Sequence, residues 1–324
     1  LALTLAGDKY AWSSPQVVGM LTFSALMGLL LFMAESNTSE PLIPGFLFKN
    51  PIFTAAMIVT FLTAIGMFGA IMFLPLFVQG VIGSSATNAG VVLMPMMLSG
   101  VIAAAVVGQV ISRTGRYRLV AIGGGSAMAL GAYLLTRLGS NSSSTDAIWY
   151  TVIAGAGLGA TLPAFMISVQ NAFPDYYLGV VSAAIQFSRN IGGAVGTAIL
   201  AAFMTIRLGD WLSRTVPPDS VNALPPEVSA KLSDPQALLN PDALVRIEEL
   251  ASQGEGGTEA LQVAVEGLRG ALASAMHDVF LLGFGITLLA LAATLLLFKE
   301  IPLRKTMAEP APEPGHSNPD QPQR

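Results

Sequence analysis

Arg189 is a cation set inside a long apolar run, Val180–Arg207. It stands about nine residues from the nearer end, roughly 14 Å deep in a helix that rises about 1.5 Å per residue. At 3.6 residues per turn, Ser182, Gln186, Asn190, Gly193 and Thr197 fall on or near one face, so this segment has a polar or small side. A guanidinium at that depth costs about 2.5–3.5 kcal/mol on insertion scales and must meet a cavity, backbone carbonyls or a counter-charge. Two kinds of role fit it: a functional one facing a cavity, and structural anchoring between helices.

The stretch Gly108-Gln-Val-Ile-Ser112-Arg113-Thr-Gly115-Arg116-Tyr-Arg118 joins two apolar runs with room for only a tight turn, and Gly115 supplies the backbone freedom the turn needs. Its arginines can touch helix C-termini, a neighbouring helix or anionic lipid head groups, or serve only to keep the loop on the cytoplasmic side. Two further patterns concern shape. Gly155, Gly157, Gly159 and Pro163 in one run, and Gly192, Gly193 and Gly196 in another, remove side-chain bulk and permit close helix approach, with bending at the proline. Met166, Gln170, Gln186, Arg189 and Asn190 are the candidates for a substrate pathway, while Gln170 and Asn171 serve equally as caps or interface residues. Methionines such as Met94, Met96 and Met97 suit a wall that accommodates varied apolar ligands.

Composition says what must hold these residues. The 324-residue chain is 53% hydrophobic and 11% charged, less than half the charged share of an ordinary soluble domain, so its medium is lipid. The net charge of −4 and the lack of a basic, aromatic-interleaved surface exclude nucleic acid as a partner. With no cysteine and only His277 and His316, neither a metal centre nor a cofactor is expected, and no constellation for enzyme catalysis is present.

Apolar length and bounding Gly, Pro, Asn and Asp residues predict an all-α integral membrane protein with spans Val17–Ala34, Phe53–Gln79, Ala89–Ile111, Leu119–Leu138, Ala147–Ala172, Val180–Arg207 and Val279–Phe298. Leu1–Ala6 matches the tail of a helix whose beginning is absent, and the chain is expected to be a fragment. Residues 1–50 are expected to form linker helices, 51–300 a six-helix bundle with an acidic extracytoplasmic insert at 208–278, and 301–324 a disordered tail. Within the insert, Leu261, Val265, Leu268 and Leu272 predict an amphipathic helix over Thr258–Met276. Lys49, the loop arginines, and Lys299, Arg304 and Lys305 all fall on one side of this topology, which places the C-terminus in the cytoplasm.

Several segments together carry a resemblance: Leu74-Pro75-Leu-Phe-Val-Gln79-Gly80, Ser84-Ser-Ala-Thr87-Asn88-Ala-Gly90, Leu93-Met-Pro95, Arg113-Thr-Gly115-Arg116, Gly157-Leu-Gly159, Gln170-Asn171-Ala and Phe187-Ser-Arg189-Asn190-Ile-Gly192-Gly193. In order and spacing they resemble the fourteen-helix drug:proton antiporters of the EmrB/QacA type, in the major facilitator superfamily. The loop resembles the degenerate carboxyl-half copy of the superfamily motif G-x-x-x-D-R-x-G-R-[RK], with Ser112 where the aspartate usually stands and Arg113, Gly115 and Arg116 at matched positions. The resemblance implies the C-terminal six-helix bundle of a major facilitator fold plus one full extra helix and the end of another, in the inner (plasma) membrane. It further implies small-molecule export driven by protons, a gating role for the loop, and an amino-terminal bundle absent from this sequence that supplies the proton-carrying acid. The alternatives are export of a specific metabolite, siderophore or self-made antibiotic, and a membrane scaffold working through the acidic insert.

Overall fold

The computed structural model describes residues 14–36, 44–139, 142–215 and 257–298. The expected stub Leu1–Ala6, the middle of the insert and the tail lie outside the described residues. Among the described residues seven α-helices follow in order: α1 (Pro15–Ser36), α2 (Pro51–Gly80), α3 (Ala86–Thr114), α4 (Tyr117–Leu135), α5 (Ser144–Ala172), α6 (Leu178–Thr215) and α7 (Gly257–Leu297). The six helices α2 to α7 are long and apolar enough to cross a bilayer. The helix α1 makes only slight contact with the other described helices. There is no strand among the described residues.

Local chemistry sets the helix ends. Asn50 Oδ1 accepts from the Ile52 N–H at 2.9 Å, with Pro51 opening α2. Ser143 and Asp146 form a reciprocal capping box at the start of α5. Pro75, Pro95 and Pro163 sit inside α2, α3 and α5 without ending them; at Pro75 the side chain of Gln79 donates to the proline carbonyl at 3.2 Å.

The helices interlock as two three-helix units. α2 packs mainly on α6 and α7, and α5 correspondingly on α3 and α4, while α4 and α7 pack on each other. The first helix of each unit thus lies against the second and third of the other, an arrangement suited to inverted repeats because three crossings reverse the chain direction. Hydrogen bonds repeat the relationship. Ser99 on α3 donates to the Val152 carbonyl of α5 at 3.0 Å, and Ser188 on α6 donates to the Met57 carbonyl of α2 at 2.9 Å.

Bulky side chains hold the two ends and small ones the middle. At the end carrying the arginine loop, Phe53, Ile111, Tyr117, Phe165 and Phe298 form a buried cluster, with the Phe298 ring 5.2 Å from Phe165 and 5.8 Å from Tyr117 in edge-on contacts. At the other end Phe73, Phe77, Leu208, Leu272, Met276 and Phe280 form a second. Between them the helices meet through glycine. A methyl added to Gly192 would lie 2.5 Å from the Phe61 carbonyl oxygen, and one added to Gly196 would lie 2.6 Å from the Ile65 Cα. On α5, Gly155 and Gly159 face the α3 backbone at Met96 and Gly100, while Gly157 faces α4 at Met128. These approaches substitute van der Waals contact between backbones for a hydrophobic driving force that lipid does not supply.

Candidate substrate pathway

α6 positions most of the candidates. Ser188, Gly192 and Gly196 are buried against α2, whereas Gln186 and Asn190 are exposed and Arg189 is half-exposed. Gln186 and Asn190 therefore lie away from the packing face, whereas Gly193, expected on the same side, is buried against Phe68 of α2, and Ser182 is bonded by Gln170. Arg189 makes no hydrogen bond or ion pair with any described residue. Gln170 at the end of α5 donates to Ser182 Oγ at 3.1 Å and ties the α5 and α6 ends together. Met166, half-buried, packs against the aromatic cluster at the arginine-loop end. Of the five pathway candidates, Gln186, Arg189 and Asn190 share an open surface, while Gln170 and Met166 are engaged in joining helices.

α6 continues beyond the predicted limit of Arg207 to Thr215, and the predicted amphipathic helix Thr258–Met276 is continuous with the last span as α7. The reason is a polar junction between them. Arg207 Nε donates to Asp278 Oδ2 at 2.7 Å, Trp211 Nε1 donates to the same oxygen at 2.9 Å, and Asp210 lies 3.7 Å from the Arg207 guanidinium. Next to it, His277 Nδ1 lies 2.7 Å from the carbonyl oxygen of Thr136, the C-cap of α4.

In the arginine loop Gly115 is left-handed at φ 71°, and its N–H bonds the Ile111 carbonyl at 2.8 Å to close α3. Arg113 and Arg116 are exposed. Ser112 donates to Gln109 of its own helix at 2.9 Å, so its position makes no link to a neighbour through that bond. The residue that links helices here is Arg118, outside the candidate set: its Nη2 donates to the Leu295 carbonyl in the last turn of α7 at 3.2 Å. One signal was available in the sequence. A cation in the first turn of a helix opposes the helix dipole and calls for a separate partner.

Two interior voids beside Gly66, lined by residues such as Met67, Met128, Phe280 and Thr287, hold about 20 Å³ each. Each has room for a water and not for a drug-sized molecule. Among the described residues no group of three His, Cys, Asp or Glu side chains could hold a metal ion.

Interlocked triplets of apolar helices, glycine seams and an arginine turn between two spans agree with the sequence profile described as Major Facilitator Superfamily, which matches residues 2–197. The chain belongs to the Major Facilitator Superfamily. The match takes in the arginine loop and the polar face of α6 as far as Thr197. Among superfamily relatives, the multidrug transporter protein MdtP of Bacillus subtilis is 36% identical over 322 residues, covering 95% of this chain and 57% of MdtP. An uncharacterized transporter of the superfamily from Mycobacterium tuberculosis is 29% identical over 309 residues, covering 94% of this chain and 40% of its own length. A tetracycline resistance determinant of Streptomyces rimosus is 28% identical over 317 residues, covering 95% of this chain and 88% of that protein. The chain thus spans about half the length of the first two relatives, and these relatives are transporters rather than enzymes.

Proposed function

We propose that this chain forms one wall of a proton-driven exporter of drug-like, amphipathic small molecules that works by alternating access. The observation that carries the reading is the exposure of Gln186 and Asn190, with Arg189 beside them, on the non-packing face of a membrane-spanning helix. Hydrocarbon penalises two amides and a guanidinium there, whereas a wetted path shared with a second bundle accommodates them. That bundle is the amino-terminal half of a fourteen-helix drug:proton antiporter, and the proton-carrying acid belongs to it. The similarity to a multidrug transporter and to a tetracycline resistance determinant supports the substrate class. On this reading the protein sits in the plasma membrane with the arginine loop and C-terminus in the cytoplasm, Arg113, Gly115 and Arg116 form a gating turn there, and the insert is extracytoplasmic. The glycine seams at Gly157, Gly159, Gly192, Gly193 and Gly196 keep the bundle tight while it rocks.

The test is dye accumulation in cells expressing the protein together with its amino-terminal bundle. Export predicts low accumulation that rises when a protonophore is added. Equal accumulation with and without expression would remove the export reading, and protonophore-insensitive efflux would remove the coupling.

A further inference from the structure

We infer that the open face of α6 recognises an acidic group on the exported compound, and that Arg189 is the residue selecting for it. This rests on the export reading above. A guanidinium offers a fixed positive charge and five N–H donors in a planar fork, a match for the two oxygens of a carboxylate. In a membrane span that charge requires an anionic or strongly polar partner, and none of the described acids is placed to be one. Asp210 and Asp278 gather around Arg207, about 27 Å farther along α6 at 1.5 Å per residue. Glu266 precedes Asp278 on α7 and lies farther still from the span centre. Asp146 caps the first turn of α5, and Asp175 lies in the short turn before α6.

The neighbours of Arg189 favour a small anion on the substrate over a single carboxylate from another helix. Gln186, one turn before, and the adjacent Asn190 are both exposed. Each adds an amide N–H donor and a carbonyl acceptor to the same surface, which suits a carboxylate flanked by further polar atoms. A purely cationic compound would instead meet like charge at this position.

The experiment uses everted membrane vesicles containing the protein with its amino-terminal bundle, energised by a pH gradient. The probes are a rhodamine with a free carboxylate and its ethyl ester, which differ only in that ionised group. The unsubstituted protein is expected to transport the acid in preference to the ester. In R189Q that preference should fall by about tenfold, the scale of one lost charge-assisted hydrogen bond. R189K, which keeps the charge without the fork, should retain an intermediate preference. Should R189Q fail to reach the membrane, R189K and competition of ester transport by benzoate decide. Benzoate should compete in the unsubstituted protein and less in R189K.

The inference is overturned if both probes are exported with an acid-to-ester ratio that R189Q or R189K leaves unchanged. It is overturned equally if R189Q, present at normal levels, loses both probes alike, since Arg189 would then serve a protein acid or the fold. Export of the ester alone would leave the export reading standing and remove only this inference. Transport of neither probe, with no dye efflux in cells, would strike the export reading itself.

Discussion

His277 on α7 closes the end of α4, its Nδ1 2.7 Å from the carbonyl oxygen of Thr136. Arg118 returns the relationship at the opposite end of the same helix pair by bonding the Leu295 carbonyl of α7 at 3.2 Å. Each helix therefore satisfies an orphan carbonyl at the end of the other, and Arg118 sets its positive charge at the negative end of the α7 dipole. Arg118→Met keeps the aliphatic stem and removes the donor. It should lower stability by about 1–2 kcal/mol, read as an earlier thermal transition in detergent.

The junction between α6 and α7 predicts an order of sensitivity. Asp278 accepts from both Arg207 and Trp211, whereas Asp210 stands at 3.7 Å on the more exposed side. Asp278→Asn should therefore lower the melting temperature more than Asp210→Asn, and Trp211→Phe should fall between them. Equal melting temperatures for the two Asn variants would refute the assigned hierarchy.

Glycines divide into those that meet backbone and those that meet open space. Gly192→Ala drives a methyl against the Phe61 carbonyl and should cost about 1–3 kcal/mol, the usual range for overpacking. Gly108→Ala has nothing within 4 Å and should be neutral, or stabilising by up to about 1 kcal/mol through helix propensity. Thermal stability of the two purified variants makes the comparison.

At Gly115 the backbone itself is the constraint. With φ at 71°, Gly115→Ala should cost about 1–2 kcal/mol, whereas Gly115→Asn should be milder because asparagine tolerates the left-handed region. If the turn also gates, efflux should follow the same order while expression remains equal.

Asn190→Leu on the open face should leave melting unchanged, because the side chain is exposed and no packing contact is lost. Dye efflux should nevertheless fall, by about tenfold where a substrate hydrogen bond is removed. Loss of stability in place of loss of transport would show that Asn190 serves the fold.

Apolar runs made the six long spans legible, because hydrocarbon demands length and uniformity that few other environments require. The face shared by Gln186 and Asn190 was legible for the same kind of reason, since 3.6-residue periodicity is local. Which way that face points was not, because direction depends on Ser188 and Gly192 meeting α2. The continuation of α6 past Arg207 was hidden as well. Gly209 and Asp210 look like terminators, and Asp278 looks like the edge of a span, until the ion pair joins the two sites in space. Arg118 was visible only as an orientation charge, because Leu295 lies 177 positions away.

A seam made of backbone has no slack in it. Where Gly159 lies on Gly100 and Gly192 lies on Phe61, there is no rotamer to swing and no methylene to compress. Neighbouring helices there must travel together like meshed gears. Any shape change this bundle undergoes is therefore confined to its ends and its outer faces, and the waist stays a solid block.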